Sequence, residues 1–166
     1  IQVLTSRFGV TAELPAEDYV TRELYLQTDV YHYHPVDFFL KRQSEERANR
    51  CSLQQALTRF EPDLVFVWGM WNLSPALPYW AEQLIRGKVA YSIAHYWLKD
   101  SDAHQAYWQA PAGRKLTPWL KRPFAWLAFR TLRLENYPPP LELKHVVCVS
   151  QFVRDSLVEA KALPPT

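Results

Sequence analysis

The stretch Pro62-Asp63-Leu64-Val65-Phe66-Val67-Trp68-Gly69 decides the fold, because a turn, a short apolar run and a glycine stop read as a buried parallel strand that ends in a loop. Two later segments share that pattern. Lys88-Val89-Ala90-Tyr91-Ser92-Ile93 runs into Ala94-His95-Tyr96-Trp97, and His145-Val146-Val147-Cys148-Val149 runs into Ser150-Gln151. Each strand delivers polar or aromatic side chains where it ends, and open α/β sheets bind ligands at such ends.

Outward from these three strands the chain alternates. Ile1 to Thr5 and Tyr19 to Leu26 read as two further strands that pair as neighbours, with a turn-rich piece at Leu14-Pro15-Ala16-Glu17-Asp18 between them. A helix is expected from Pro35, with Val36, Phe39 and Leu40 on one face and a solvated charged run from Lys41 to Arg50. Ser52 and Gln55 have the spacing of a capping box and open a helical set of Leu53, Ala56, Leu57 and Phe60 that stops before Pro62. Ser74 is the expected N-cap of a helix with Pro75 at its first position, running to Ile85 before Gly87. A loop with a short helix is expected from Asp100 to Gly113, and a longer helix from Leu116 to Leu134, broken or restarted by Pro123. Pro138-Pro139-Pro140 forces an extended linker, Phe152 to Lys161 forms the last helix, and Pro164-Pro165 marks a boundary. Strands alternating with helices predict an α/β fold whose mostly parallel sheet is flanked by helices and joined by right-handed crossovers.

Composition narrows the function. At 166 residues the chain has enough material for one domain with a real core. Its formal charge of +2 argues against a dedicated nucleic-acid binder, which draws affinity from a strongly basic face. Cys51 and Cys148 are far apart in sequence, and the strand position of Cys148 suggests a buried thiol in a reducing, cytoplasmic setting. No apolar run is long enough for a membrane span or a signal peptide. Aromatic residues make up 14% of the chain, with seven Trp and nine Tyr, which points to a ligand groove, an interface or a membrane-facing surface. The four glycines are isolated, so neither a dinucleotide fingerprint nor a Walker loop is present. There is no Gly-x-Ser-x-Gly elbow, and His32 and His34 alone make a poor metal site, so no metal is expected.

Arg59 to Leu77 (RFEPDLVFVWGMWNLSPAL), Lys88 to Leu98 (KVAYSIAHYWL) and His145 to Ala160 (HVVCVSQFVRDSLVEA) resemble, in order and spacing, the acceptor-side domain of glycosyltransferase family 4. These are retaining enzymes of the GT-B fold. The resemblance implies a Rossmann-like N-terminal half that positions a saccharide or lipid-linked acceptor. A nucleotide-sugar then serves as co-substrate rather than cofactor, held by a C-terminal donor domain that is not among these residues. It also implies a strand-helix unit ahead of Ile1. Family members commonly carry a His directly after the second of these strands; here Ala94 stands there and His95 follows, so a one-residue displacement separates an imidazole in the cleft from one turned away.

On this reading His95 is the candidate catalytic contact. Trp71, Asn72, Tyr96 and Trp97 are candidates for the cleft, since aromatic faces suit sugar rings and an amide bonds hydroxyls. Trp71 stands between groove lining and loop packing, whereas Trp68 is expected to pack. Ser150 is expected to cap the last helix with Arg154 facing the cleft, and Ser6 and Arg7 end the first strand at the same edge. The segment Arg114 to Arg133 interleaves six basic residues with Trp119, Phe124, Trp126 and Phe129 and has no acidic residue, which fits either core packing or peripheral contact with the inner face of a membrane. A non-catalytic α/β module that docks carbohydrate or protein is the alternative.

Overall fold

The computed structural model describes residues 1–9, 18–29, 31–111 and 117–165. They form strands β1 (Val3–Ser6) and β2 (Val20–Leu24), helices α1 (Pro35–Leu40) and α2 (Arg42–Phe60), strand β3 (Val65–Trp68), helix α3 (Ala76–Leu84) and strand β4 (Val89–Ile93). Helices α4 (Ala103–Gln109) and α5 (Thr117–Leu134), strand β5 (His145–Cys148) and helix α6 (Gln151–Glu159) complete the order. The architecture is α/β, with every strand pairing parallel. Where one sheet is expected from the alternation, two small ones form: β1 pairs β2, and β3, β4 and β5 pair in that order. The turn-rich piece between β1 and β2 lies largely outside the described residues.

β4 is the middle strand, and Val89, Tyr91 and Ile93 point into the core from it. Val65 and Val67 of β3 and Val146 and Cys148 of β5 face the same way. Onto this face pack Leu53 and Leu57 of α2, Leu77, Trp80 and Ala81 of α3, and Val153 and Leu157 of α6, together with Leu4 of β1 and Leu24 of β2. All three helices therefore cover one side. On the other side the register sets Phe66 beside Ala90 and His145, and Trp68 beside Ser92 and Val147. There Phe66 is 59%, Trp68 72% and Val147 64% exposed. Parallel sheets normally bury both faces; this one leaves an apolar face bare. Trp68, expected to pack, is thus an exposed residue, because period-two alternation puts it opposite Val67.

Several local expectations change. Ser52 lies inside α2, which is one helix from Arg42 to Phe60, so the Ser52–Gln55 spacing is no cap. The charged run is not wholly solvated: Arg42 and Asn49 are buried, Arg42 against the Glu135 carboxylate and Asn49 through hydrogen bonds in both directions with the Tyr25 backbone. In α1 the buried residue is Phe38, while Val36 and Leu40 face solvent. Pro123 sits within α5 without ending it. Proline in a helix interior costs about 3 kcal/mol, and the burial of Ala128 and Leu132 with Phe38 and Trp108 in a second apolar cluster offsets that cost. Cys148 is half-buried and Cys51 exposed, both as free thiols.

Other expectations hold. Ser150 caps α6 by accepting from Val153 N–H at 3.2 Å; at α3 the cap position falls one residue later than expected, on Pro75, with the Ser74 Oγ accepting from the Ala76 N–H at 3.1 Å. The extended linker after Pro140 is anchored by a buried carboxylate: Glu82 accepts from the Tyr91 hydroxyl (2.7 Å), from Glu142 N–H (2.8 Å) and from Leu143 N–H (3.0 Å). Burial raises the Tyr91 hydroxyl far above its ordinary pKa, so the phenol stays a donor. Among the described residues no helix is long and apolar enough to cross a membrane.

Candidate functional site

A hollow of about 420 Å³ opens where β3 and β4 end. Met70 to Leu73 and Pro75, from the loop after β3, form one wall, and His95, Tyr96 and Trp97, directly after β4, form another. Gln27, Thr28 and Asp29 from the loop after β2 and Asp100 to Ala103, running into the first residue of α4, close it. The chain turns sharply here because Gly69 and Asn72 take positive φ of 67° and 55°, conformations that glycine, and asparagine among ordinary residues, adopt most readily.

The walls are fastened to each other. Asn72 accepts from Gln27 N–H through its backbone carbonyl (2.9 Å) and donates from Nδ2 to the Thr28 carbonyl (2.8 Å). Asp102 caps α4, its Oδ1 accepting from the N–H groups of His104 (2.8 Å) and Gln105 (2.9 Å). Asp29 Oδ1 accepts from the N–H groups of Tyr31 and His32. The Tyr31 N–H chiefly, then that of His32, holds the Asp29 carboxyl below its usual range against partial desolvation. Burial instead pushes Asp102 up, opposed by its two backbone donors and by the Tyr137 hydroxyl. Asp102 Oδ2 and Asn72 Oδ1 are buried, and among the described residues neither meets a donor in hydrogen-bond geometry.

Behind the hollow lies a buried polar cluster. His104 of α4, buried, meets the Tyr33 hydroxyl at 3.0 Å from Nδ1. Burial, aided by Arg42, depresses His104 to about 4, so the ring is neutral at pH 7. Burial raises Glu46, whose Oε1 accepts from Ser74 Oγ at 2.6 Å. Gln27 donates to the Tyr137 hydroxyl and so joins this cluster to the wall of the hollow.

The five residues Trp71, Asn72, His95, Tyr96 and Trp97 are brought together on this hollow. His95 is exposed and lines it. The other four candidates are not on its wall. Ser6 lies at the end of β1, and Arg7 is engaged by Tyr25, donating to its hydroxyl at 2.6 Å with the guanidinium 4.7 Å from the ring centre. Ser150 is a cap, and Arg154 lies one turn further along α6 near Cys148. Sequence reasoning missed Gln27, Thr28, Asp29, Asp100 and Asp102. Only Asp102 had a readable signal, an aspartate directly before a helix.

A second hollow of similar size, about 430 Å³, lies between Leu141–Leu143 and the tail from Lys161 to Pro165. It sits at no trailing strand end, and its titratable wall groups are Glu142 and Lys161, so the chemistry favours the first. No group of three or more His, Cys, Asp or Glu side chains is clustered for a metal among the described residues. Comparisons of the chain with protein-family models, with curated proteins and with solved structures find no match.

Proposed function

We propose that this chain binds a saccharide and serves as the acceptor-side, N-terminal half of a retaining, nucleotide-sugar-dependent glycosyltransferase of the GT-B type. The observation that carries the reading is the hollow at the ends of β3 and β4, with Trp71, Tyr96 and Trp97 beside Asn72 and His95. Aromatic faces stack on the apolar side of a pyranose while amide and imidazole groups bond its hydroxyls. Trailing ends of parallel strands are where α/β sheets take ligands.

In this reading the glycosyl C1–O bond to the nucleotide breaks, a C1–O bond to an acceptor hydroxyl forms, and the hydroxyl proton leaves with the nucleotide phosphate. The contribution of this half is orientation of the attacking hydroxyl, with His95 as the imidazole on the wall. The nucleotide belongs to a donor domain outside these residues, in keeping with a wall that has neither a glycine-rich loop nor a lysine or arginine. α5 adds a route to lipid-linked acceptors at the inner face of a membrane. Trp119 is 81% and Trp126 61% exposed on it, beside Arg122 and Arg130, while Ala128 and Leu132 face the core. Lys121 is not free for lipid, since it donates to the carbonyls of Tyr107 and Ala110, and Arg114 and Lys115 lie outside the described residues.

Titration with mono- and oligosaccharides, read by tryptophan fluorescence, tests the reading. Saturable quenching that Trp71→Ala weakens by about tenfold or more, the scale of losing one aromatic anchor, is expected. Absence of saturable binding by every saccharide refutes it. That result would favour the alternative of a protein-docking module, for which the bare face of Phe66, Trp68 and Val147 speaks.

A further inference from the structure

Two small cavities lie behind the hollow, of about 90 and 10 Å³, and Leu26, Gln27, Arg42, Glu45 and His104 border both of them. Gln27 also lines the hollow, so the cavities stand at its back. Two of these side chains are more than nine-tenths buried and hold a polar atom that meets no hydrogen-bond partner among the described residues. They are Arg42, 6% exposed, at Nε, and His104, 2% exposed, at Nε2. Glu46, on the wall of the smaller cavity, has a third such atom in Oε2. Other atoms of the same groups are engaged: Arg42 Nη2 donates to Glu135, His104 Nδ1 meets the Tyr33 hydroxyl, and Glu46 Oε1 accepts from Ser74 Oγ. Among the described residues the Tyr33 O–H has no acceptor other than Nδ1, which places the imidazole proton on Nε2. The walls thus hold two donors and one acceptor that the polypeptide leaves unsatisfied, a costly arrangement in a buried place.

We propose that internal water fills both cavities, accepting from Arg42 Nε and His104 Nε2 and donating to Glu46 Oε2. A water needs about 10–15 Å³ of such space and takes up about 30 Å³ in the liquid, so the larger cavity has room for about three and the smaller for one. Charge disfavours the other small occupants. An anion meets Asp29, Asp37 and Glu45 on the larger wall, and the guanidinium that would attract it is already paired with Glu135. A metal cation meets that same guanidinium, and no three ligating side chains are clustered for it among the described residues. A dry cavity needs apolar walls, yet only Leu26 and Phe38 of the eleven residues around the larger one have wholly apolar side chains. Water alone both accepts from two nitrogens and donates to a carboxylate. The result is a hydrated seam joining α2, α4 and the loop after β2, and it is independent of what occupies the hollow.

High-resolution crystals of the chain, native, soaked in bromide and pressurised with xenon, test the proposal. Water peaks are expected within about 2.7–3.2 Å of Arg42 Nε and of His104 Nε2, with neither bromide nor xenon in either cavity. In solution the Arg42 Nε–H and His104 Nε2–H should show cross-relaxation with water of the sign given by molecules bound for longer than the protein tumbles. His104→Phe, which keeps a ring and drops both nitrogens, should lose the peak beside the ring and retain the one at Arg42 Nε. No density beside either nitrogen, xenon inside as in dry apolar cavities, or bromide seated against Arg42 overturns the proposal. So does an unchanged set of peaks in His104→Phe; if that variant fails to fold, the parent's peaks and cross-relaxation decide alone.

Discussion

Replacing Glu82 by alanine should destabilise the protein more than any comparable surface change. The carboxylate is buried and accepts three hydrogen bonds, from the Tyr91 hydroxyl, Glu142 N–H and Leu143 N–H. Truncation strips the acceptor from all three donors at once, and a buried donor left without one costs about 1–3 kcal/mol. Water entering the space left by the side chain recovers part of this, so the expected loss is about 3–5 kcal/mol. Glu82→Gln keeps the shape and the oxygen facing Tyr91 and Leu143 but presents an NH2 to Glu142 N–H, for a loss of about 1–3 kcal/mol. Tyr91→Phe leaves the two backbone bonds intact, with an expected loss of about 1–2 kcal/mol. Urea unfolding measures the series, with an unchanged m-value showing that stability alone has moved. In the double variant Glu82→Ala with Tyr91→Phe, the losses should fall short of additive because the two share a bond. If Glu82→Ala falls within about 0.5 kcal/mol of the parent, the size of a surface substitution, the linker before β5 is not held as described.

Acid should weaken the fold through His104. Its pKa falls from 6.5 to about 4 on folding, so between these values the unfolded chain binds more protons and stability drops as pH falls. The contribution, complete above about pH 6.5, is on the order of 3 kcal/mol and is lost by about pH 4. Glu46 and Asp102, raised by burial, act in the opposite sense as pH rises through their folded values. The informative quantity is therefore the parent's stability minus that of His104→Gln, measured by urea unfolding across this window; a flat difference contradicts the buried neutral ring. Liposome sedimentation tests the α5 face. Binding to anionic vesicles that falls with salt, and falls further in Trp119→Ala with Trp126→Ala, is expected, and indifference to anionic lipid retires the contact.

The strands were legible because their apolar runs are short and each is closed by a turn residue or a cap, as at Gly69 and Ser150. What misled is physically instructive. Ser52 and Gln55 spell a cap, but the same letters occur inside a helix, and only backbone hydrogen bonding distinguishes the two. The run from Lys41 to Arg50 looks solvated until partners distant in sequence appear: Glu135 for Arg42 and the Tyr25 backbone for Asn49. Half of the hollow was readable because Trp71, Asn72 and His95 to Trp97 follow strands directly. Asp29 and Asp100 were not, since they reach the wall through irregular loops that have no periodicity to project. The parting of β1 and β2 from the other three strands was equally hidden, because alternation specifies which elements form but not which edges meet.

The bare side of the β3–β4–β5 sheet also governs how this polypeptide behaves among other molecules. Phe66, Trp68 and Val147 form a greasy plane whose strands at the rim, β3 and β5, are each paired on one side only among the described residues. Such a plane invites chaperones, detergents and crowded neighbours alike. Its colloidal fate is set by that one side, however firmly Glu82 and the rest of the interior hold.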